Sequence, residues 1–233
     1  MSSILITGAN RGLGLEFARQ HAADGWDVIA TARNLKSREE LQELAKNKNV
    51  SFHDLDVTSD ESVKQLAESL RGKPIDLLVL NSAIYTRNGI ALGELNFAGW
   101  RESFETNVLG AIRVAEALIE NVAASKRKQI AAISTGMGSL QALESTIGFG
   151  SAYQYRTSKA ALNMAMSILA KEVEPQGISV VIFSPGWVQT DMGGANAALT
   201  PEQSIGGMRK VLEGNPMELT GKFLGYDGTT WPW

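Results

Sequence analysis

A chain of 233 residues with 44% apolar content is long enough for one α/β domain with a large core. Its formal charge of −3 gives no general attraction to nucleic acid or to an anionic membrane, and no stretch approaches the roughly 18 uninterrupted apolar residues of a membrane span. Without cysteine there is no disulfide, thiolate nucleophile or zinc–thiolate site, and His21 and His53 alone are too few for a histidine metal cluster; a metal-free cytoplasmic enzyme is the expectation.

In chain order, the apolar run 3–7 reads as a buried strand and leads straight into TGANRGLG, residues 7–14. Three glycines between a strand and the start of a helix suit a pyrophosphate. Free N–H groups and the positive end of the helix dipole face the anion, and glycine lets the backbone come close. Gly8, Gly12 and Gly14 would serve in this way. Their G-x-x-x-G-x-G spacing differs from the usual G-x-G-x-x-G, and a glycine-rich turn without a ligand is the alternative. A second strand, 26–32, is followed by Arg33, with no acid before Glu39. A carboxylate there would bind the ribose 2′-hydroxyl of NAD(H), whereas cations suit the 2′-phosphate of NADP(H). Arg33, together with Arg11 of the glycine loop, therefore favours NADP(H), with NAD(H) as the other option and two solvated surface arginines as the bland reading.

Further along, 50–54 reads as a third strand and 59–71 as a helix capped by Ser59 or Asp60, with Val63, Leu66, Ala67 and Leu70 in one stripe. A fourth strand, 75–80, ends at Asn81; a long helix over 96–121 follows, and Lys126, Arg127 and Lys128 read as solvated charge at a helix end. Then come a strand over 129–134, a helix over 152–174 stopped by Pro175 and Gly177, a strand over 178–183 and a strand-like segment near 222–226. Strands alternating with helices imply a parallel sheet covered on both faces, that is, one doubly wound Rossmann-type domain spanning 1–233. The glycine-rich stretch 186–207 is followed by too little chain for a second core.

Near the start of the last long helix stands YRTSK, with Tyr155 and Lys159 four residues apart and so on one face. A phenol with a pKa of about 10 is a poor proton donor at neutral pH, but a cation within about 4–6 Å lowers an acid's pKa by ~1–3 units. Lys159 would thus make Tyr155 a usable acid. Tyr153, six positions from Lys159, points about 120° away. A tyrosine–lysine pair at this spacing also arises by chance on solvated helices.

TGANRGLG, the Asp56-Val57 pair, Asn81, ETNVLG, ISTGMGS, YRTSK and SPGWVQTDM, in this order and spacing, resemble the short-chain dehydrogenase/reductase family over essentially the whole chain. The ending GKFLGYDGTTWPW and the stretch PGWVQTDMGG are similar to its C-factor-like proteins and its sniffer type of carbonyl reductase. The resemblance implies a Rossmann-type fold with a seven-stranded sheet, a nicotinamide cofactor and a tetrad of Asn, Ser, Tyr and Lys. By position it makes Tyr155 the general acid or base, Lys159 the residue that lowers its pKa and holds the nicotinamide ribose, and Asn107 the anchor of a water linking Lys159 to solvent. It sets Asp56 and Val57 beside the adenine, Asn81 and Ala83 beside the cofactor, and Pro185, Gly186, Val188 and Thr190 along the nicotinamide. Asn10, Arg11 and Leu13 join Gly8, Gly12 and Gly14 in the cofactor loop.

Two positions depart from the family pattern. Asn81-Ser82-Ala83 puts a methyl group where the family has a glycine, and ISTGMGS aligns Thr135, rather than Ser134, with the catalytic serine. A threonine hydroxyl can still donate to a carbonyl oxygen, although its β-branch limits its rotamers. Ser134, one residue earlier, points to the opposite side if it still belongs to the strand, because side chains alternate, and is the alternative. Substrate loops are expected at about 84–95, 136–152 and 187–205, where Ile84, Tyr85, Met137, Leu140, Ile147, Phe149, Trp187 and Met192 would build a mostly apolar pocket. The expected function is NADP(H)-dependent reduction of an aldehyde or ketone, or oxidation of the matching alcohol. A nucleotide-binding signalling protein of the same fold is the alternative. An epimerase or dehydratase of the extended relatives is disfavoured, because its C-terminal substrate part does not fit in 233 residues. In the family the long helices pair across a two-fold axis, and the small residues Ala160, Ala161 and Ala165 imply a homodimer or homotetramer.

Overall fold

The computed structural model describes residues 1–33, 43–86 and 89–233, apart from the side chain of Phe149. Glu39, and residues 87 and 88 of the first expected substrate loop, lie outside the described residues. Seven strands, β1 (Ser3–Thr7), β2 (Asp27–Ala32), β3 (Val50–Asp54), β4 (Leu77–Leu80), β5 (Gln129–Ile133), β6 (Ser179–Ser184) and β7 (Phe223–Gly225), form one parallel sheet in the order β3-β2-β1-β4-β5-β6-β7. The helices are α1 (Gly12–Ala23), α2 (Asp60–Ser69), α3 (Phe97–Phe104), α4 (Gly110–Ala123), the short α5 (Leu143–Thr146), α6 (Tyr153–Val173), α7 (Pro201–Leu212) and the short α8 (Pro216–Leu219). Among the described residues, no helix is long and apolar enough to cross a membrane.

The central strands β1, β4, β5 and β6 are buried along their whole length, as parallel strands covered on both faces must be. Alternation along each strand divides their side chains between two cores. Leu5, Leu78, Ile130, Val180 and Ile182 pack with Val63 of α2, Leu118 of α4 and Leu162 of α6. Ile4, Ile6, Val79, Val181 and Phe183 pack on the other side with Phe17 of α1 and Ile205 of α7. Each such aliphatic or aromatic side chain contributes about 1.5–3 kcal/mol on burial. The chain winds outward through β1, β2 and β3, then in the opposite sense through β4 to β7. A crevice therefore opens beyond the C-terminal ends of β1 and β4, where the connections diverge.

Ser59 is the cap of α2, its side chain accepting from the Ser62 N–H. The helix expected over 96–121 is instead two helices, α3 and α4, joined by a π-helical turn over Glu105–Leu109. This wider turn buries Thr106, Asn107 and Val108 and lets Asn107 reach partners on two other segments. Arg127 is not simply solvated charge. Its guanidinium lies 5.3 Å from the Trp26 ring centroid and donates to Gln129 and to the Leu212 carbonyl, which fix its direction.

Candidate active site

A cleft of about 850 Å³ occupies that crevice, walled by the segments that follow β1, β4, β5 and β6. At one end lies the start of α1, whose N-cap residue, Arg11, makes no side-chain capping bond and whose first turn holds no acidic residue. Its N–H groups and dipole are left for an anion. Gly8, at φ +69°, has the left-handed backbone that bends the chain from β1 toward α1. Asn81 holds this bend in place: its Nδ2 donates to the Thr7 carbonyl at 2.9 Å and the Gly8 carbonyl at 3.2 Å. Thr7 Oγ1 in turn accepts from the N–H groups of Asn81 and Ser82 at 2.9 and 3.0 Å.

Most of the expected site residues share this one cleft. Gly8, Asn10, Arg11, Gly12, Leu13, Arg33, Asp56, Val57, Asn81, Ala83, Thr135, Tyr155, Lys159, Pro185, Gly186, Val188 and Thr190 all line it. Gly14 does not. A Cβ at Gly14 would lie 2.3 Å from the Gly8 oxygen and 2.6 Å from Asn81 Nδ2, so this glycine serves the packing of α1 against the loop and is not itself in the wall. Asn107 also stands behind the wall, with Oδ1 accepting from Ile84 N–H at 2.8 Å and Nδ2 donating to the Ile84 carbonyl and to Ser158 Oγ, both at 3.0 Å. The expected arginine pair is divided as well. Arg11 forms an ion pair with Asp191 at 2.9 Å across the cleft mouth, while Arg33 faces Asp56. The Asp56 carboxyl is held below its ordinary pKa mainly by hydrogen bonds from Thr58, with Arg33 and Arg113 adding to the effect. Thr58, Ser82, Thr106 and Asp191 also line the cleft and were not anticipated. Each adjoins an expected residue in sequence, which is the signal it offered; what no local pattern showed is that Asp191 pairs with Arg11, 180 positions away.

At the inner end, Tyr155 and Lys159 rise from the first turns of α6. The lysine Nζ lies 5.9 Å from the tyrosine ring centroid and donates to the Ile133 carbonyl at 2.7 Å. Tyr85 stands beside them, its ring centroid 4.9 Å from that of Tyr155. Tyr153 points outward, as expected, with its ring 6.0 Å from that of Trp100. Both candidate hydroxyl residues lie past the end of β5 and line the cleft, so strand alternation does not separate them; their hydrogen bonds do. Ser134 is buried and donates to Asn163 Oδ1 at 2.5 Å. Thr135 is only half-buried, and its Oγ1 accepts from Met137 N–H at 3.2 Å while its own hydrogen stays available.

Electrostatics correct the simple picture of a lysine that lowers its neighbour's pKa. Burial pushes the Tyr155 phenol above its ordinary value, with Tyr85 adding to the rise, and burial brings the Lys159 ammonium down to about 7. Both groups are driven toward their neutral forms because neither charge is well solvated. Near pH 7 Lys159 is thus divided between its charged and neutral forms, and only the charged form can stabilise a phenolate. Protonation of the two residues is coupled.

The substrate side departs in part from expectation. Ile84, Tyr85, Met137, Trp187 and Met192 line the cleft. Leu140, 80% exposed, and Ile147, also exposed, point away from it, because the segment after β5 folds into its own short helices, a 3₁₀ turn over Gly136–Gly138 and then α5. Phe149's side chain lies outside the described residues. From 187–205 the wall extends only as far as Gly193. The C-terminal segment braces this region: the Trp233 carbonyl accepts from Ser139 Oγ and from Gln141 N–H, both at 2.8 Å.

The profile of the short chain dehydrogenase family matches residues 2–199. The fold superposes on NADPH-bound carbonyl reductase from chicken fatty liver with a TM-score of 0.92 and 33% identity, covering 100% of this chain and 99% of that one. It superposes on carbonyl reductase Sniffer of D. melanogaster with a TM-score of 0.90 and 31% identity, covering 100% of each. In sequence the chain is 39% identical to C-signal of Myxococcus xanthus over 162 residues, which are 69% of this chain and 93% of that protein.

Proposed function

The chain belongs to the short chain dehydrogenase family, and from that membership we propose that it is an NADP(H)-dependent carbonyl reductase acting on aldehydes or ketones, or on the matching alcohols in reverse. The observation that carries this reading is the buried pair of Tyr155 and Lys159 in the same cleft as an uncapped helix N-terminus. The protein's own groups fit the cofactor. The bend at Gly8 and the free N–H groups of α1 suit its pyrophosphate, and Arg33 suits a 2′-phosphate. The likeness to the NADPH-bound chicken enzyme supports NADP(H) over NAD(H). When bound, the nicotinamide supplies or accepts the hydride.

The chain's residues then manage the proton. Tyr155 Oη gives its proton to the carbonyl oxygen, or takes it from the alcohol in the reverse direction. Lys159, when charged, stabilises the phenolate so formed, and Thr135 Oγ1 donates a hydrogen bond to the same carbonyl oxygen. The second lone pair of Asn107 Oδ1 holds a water that returns the proton from solvent toward Lys159. Ile84, Tyr85, Met137 and Trp187 give the pocket a largely apolar wall, suited to a small carbonyl compound with an apolar body. A second reading, a nucleotide-binding protein whose role is signalling, draws on the likeness to C-signal.

The substitution Tyr155→Phe decides between them. It removes one proton donor and almost no volume, so folding and NADPH affinity persist while carbonyl reduction falls by the ~10²–10⁴-fold of a lost general acid. Turnover that is unaffected, or a biological activity that survives this change but is lost with Arg11 and Arg33, rejects the enzyme reading.

A further inference from the structure

The first turn of α6 does more than present Tyr155. At about 100° per residue, positions 154, 155 and 156 leave the helix in three directions. Tyr155 points into the cleft, and its two sequence neighbours each take hold of a different substrate loop. Arg156 is 7% exposed, and its guanidinium is spent entirely on the segment after β5: Nε donates to the Gly150 carbonyl at 3.0 Å, Nη1 to Thr146 Oγ1 at 2.9 Å and to the Met137 carbonyl at 3.3 Å, and Nη2 to the Thr146 carbonyl at 2.5 Å. One rigid fork thus ties both ends of the loop, including the Met137 that lines the cleft, to the helix turn that carries the phenol.

Gln154, 1% exposed, reaches the opposite way. Its Nε2 donates to the Gly89 carbonyl, which also accepts from Asn96 N–H at 3.0 Å and so closes the turn over 89–96. Among the described residues Gln154 Oε1 is buried without a partner. A side chain retained with one polar atom unsatisfied is explained by what its other end does, and that end holds the loop.

We propose that Arg156 and Gln154 are positioning residues that set substrate selectivity, because they lock the two substrate loops in register with the Tyr155 hydroxyl. The proposal rests on Tyr155 being the proton donor. Arg156→Lys keeps the charge but not the fork, Thr146→Val removes one acceptor from the loop side, and Gln154→Met removes the donor at similar length. Each is tested for amide hydrogen exchange by mass spectrometry, for NADPH affinity, and for kcat and KM on a panel of small and bulky carbonyl compounds.

Exchange should rise over 139–150 alone in Arg156→Lys and Thr146→Val, and over 89–96 alone in Gln154→Met. KM for the best substrate should rise roughly tenfold to a hundredfold, while kcat at saturation and NADPH affinity stay within about twofold, which a general loss of structure would not give. Discrimination between small and bulky substrates should shrink together with it. Unchanged exchange, or a fall in kcat with KM unmoved, or loss of NADPH affinity in step with activity, overturns the inference. Turnover that survives Tyr155→Phe overturns the functional reading and this inference with it. Turnover abolished by Tyr155→Phe, with KM unmoved by Arg156→Lys, overturns the inference alone.

Discussion

Lys159 should cost the protein stability, and the size of that cost follows from its surroundings. The side chain is 2% exposed, and burial lowers its pKa from 10.5 to about 7. At about 1.4 kcal/mol per pH unit, this corresponds to a folding penalty on the order of 4 kcal/mol at pH 7. The unfolded chain keeps the proton up to its own pKa, whereas the folded chain releases it near 7. The penalty is therefore complete below pH 7 and shrinks as pH rises from 7 toward 10.5. Lys159→Met abolishes it but leaves the Ile133 carbonyl without its donor, which costs about 1–3 kcal/mol. The variant should then be more stable than the parent by about 1–3 kcal/mol at pH 7 in urea unfolding, and inactive in carbonyl reduction. That advantage should narrow by roughly 2 kcal/mol between pH 7 and 9 as the parent sheds the buried charge. A methionine variant that is less stable at pH 7, or a difference that does not change with pH, would refute the assignment of Lys159 as a desolvated charge held for function.

Arg33→Ala should weaken NADPH by about 1.5–3 kcal/mol, the worth of a charge-assisted phosphate contact, and leave NADH nearly unchanged; equal losses in titrations with both nucleotides reject the phosphate assignment. Thr135→Ser should be tolerated and Thr135→Val should lose much of kcat, whereas Ser134→Ala should cost about 1–3 kcal/mol of stability, by leaving Asn163 Oδ1 without its donor, with kcat retained. If Ser134→Ala does the greater damage to kcat in a protein that still folds, the carbonyl is polarised by the other hydroxyl. The exposed side chains of Leu109, Met164 and Ile168 lie on the elements expected to pair between subunits, and light scattering at micromolar concentration should report a dimer or tetramer; a monomer removes that expectation.

What the sequence determined was whatever depends on neighbours a few positions away. Periodicity marked the strands and most helices, the glycines between β1 and α1 marked the bend into an uncapped helix start, and four-residue spacing put Tyr155 and Lys159 on one face while turning Tyr153 outward. Ser134 and Thr135, by contrast, both follow the end of β5 and line the cleft, and only the hydrogen bond from Ser134 to Asn163 tells them apart. The tertiary structure decided what depends on distant segments meeting. Asn107 faces Ile84 and Ser158 because a π turn interrupts a helix whose sequence reads as continuous. Arg11 is engaged by Asp191, Gly14 packs behind its loop, and Leu140 turns away from the cleft, each through contacts that no local pattern encodes. The ionisation of the central pair belongs to the same class. Spacing brings a phenol and an ammonium together, but whether the ammonium lowers the phenol's pKa or loses its own proton depends on how much water the assembled segments leave around them, and that is fixed only once the fold has closed over both.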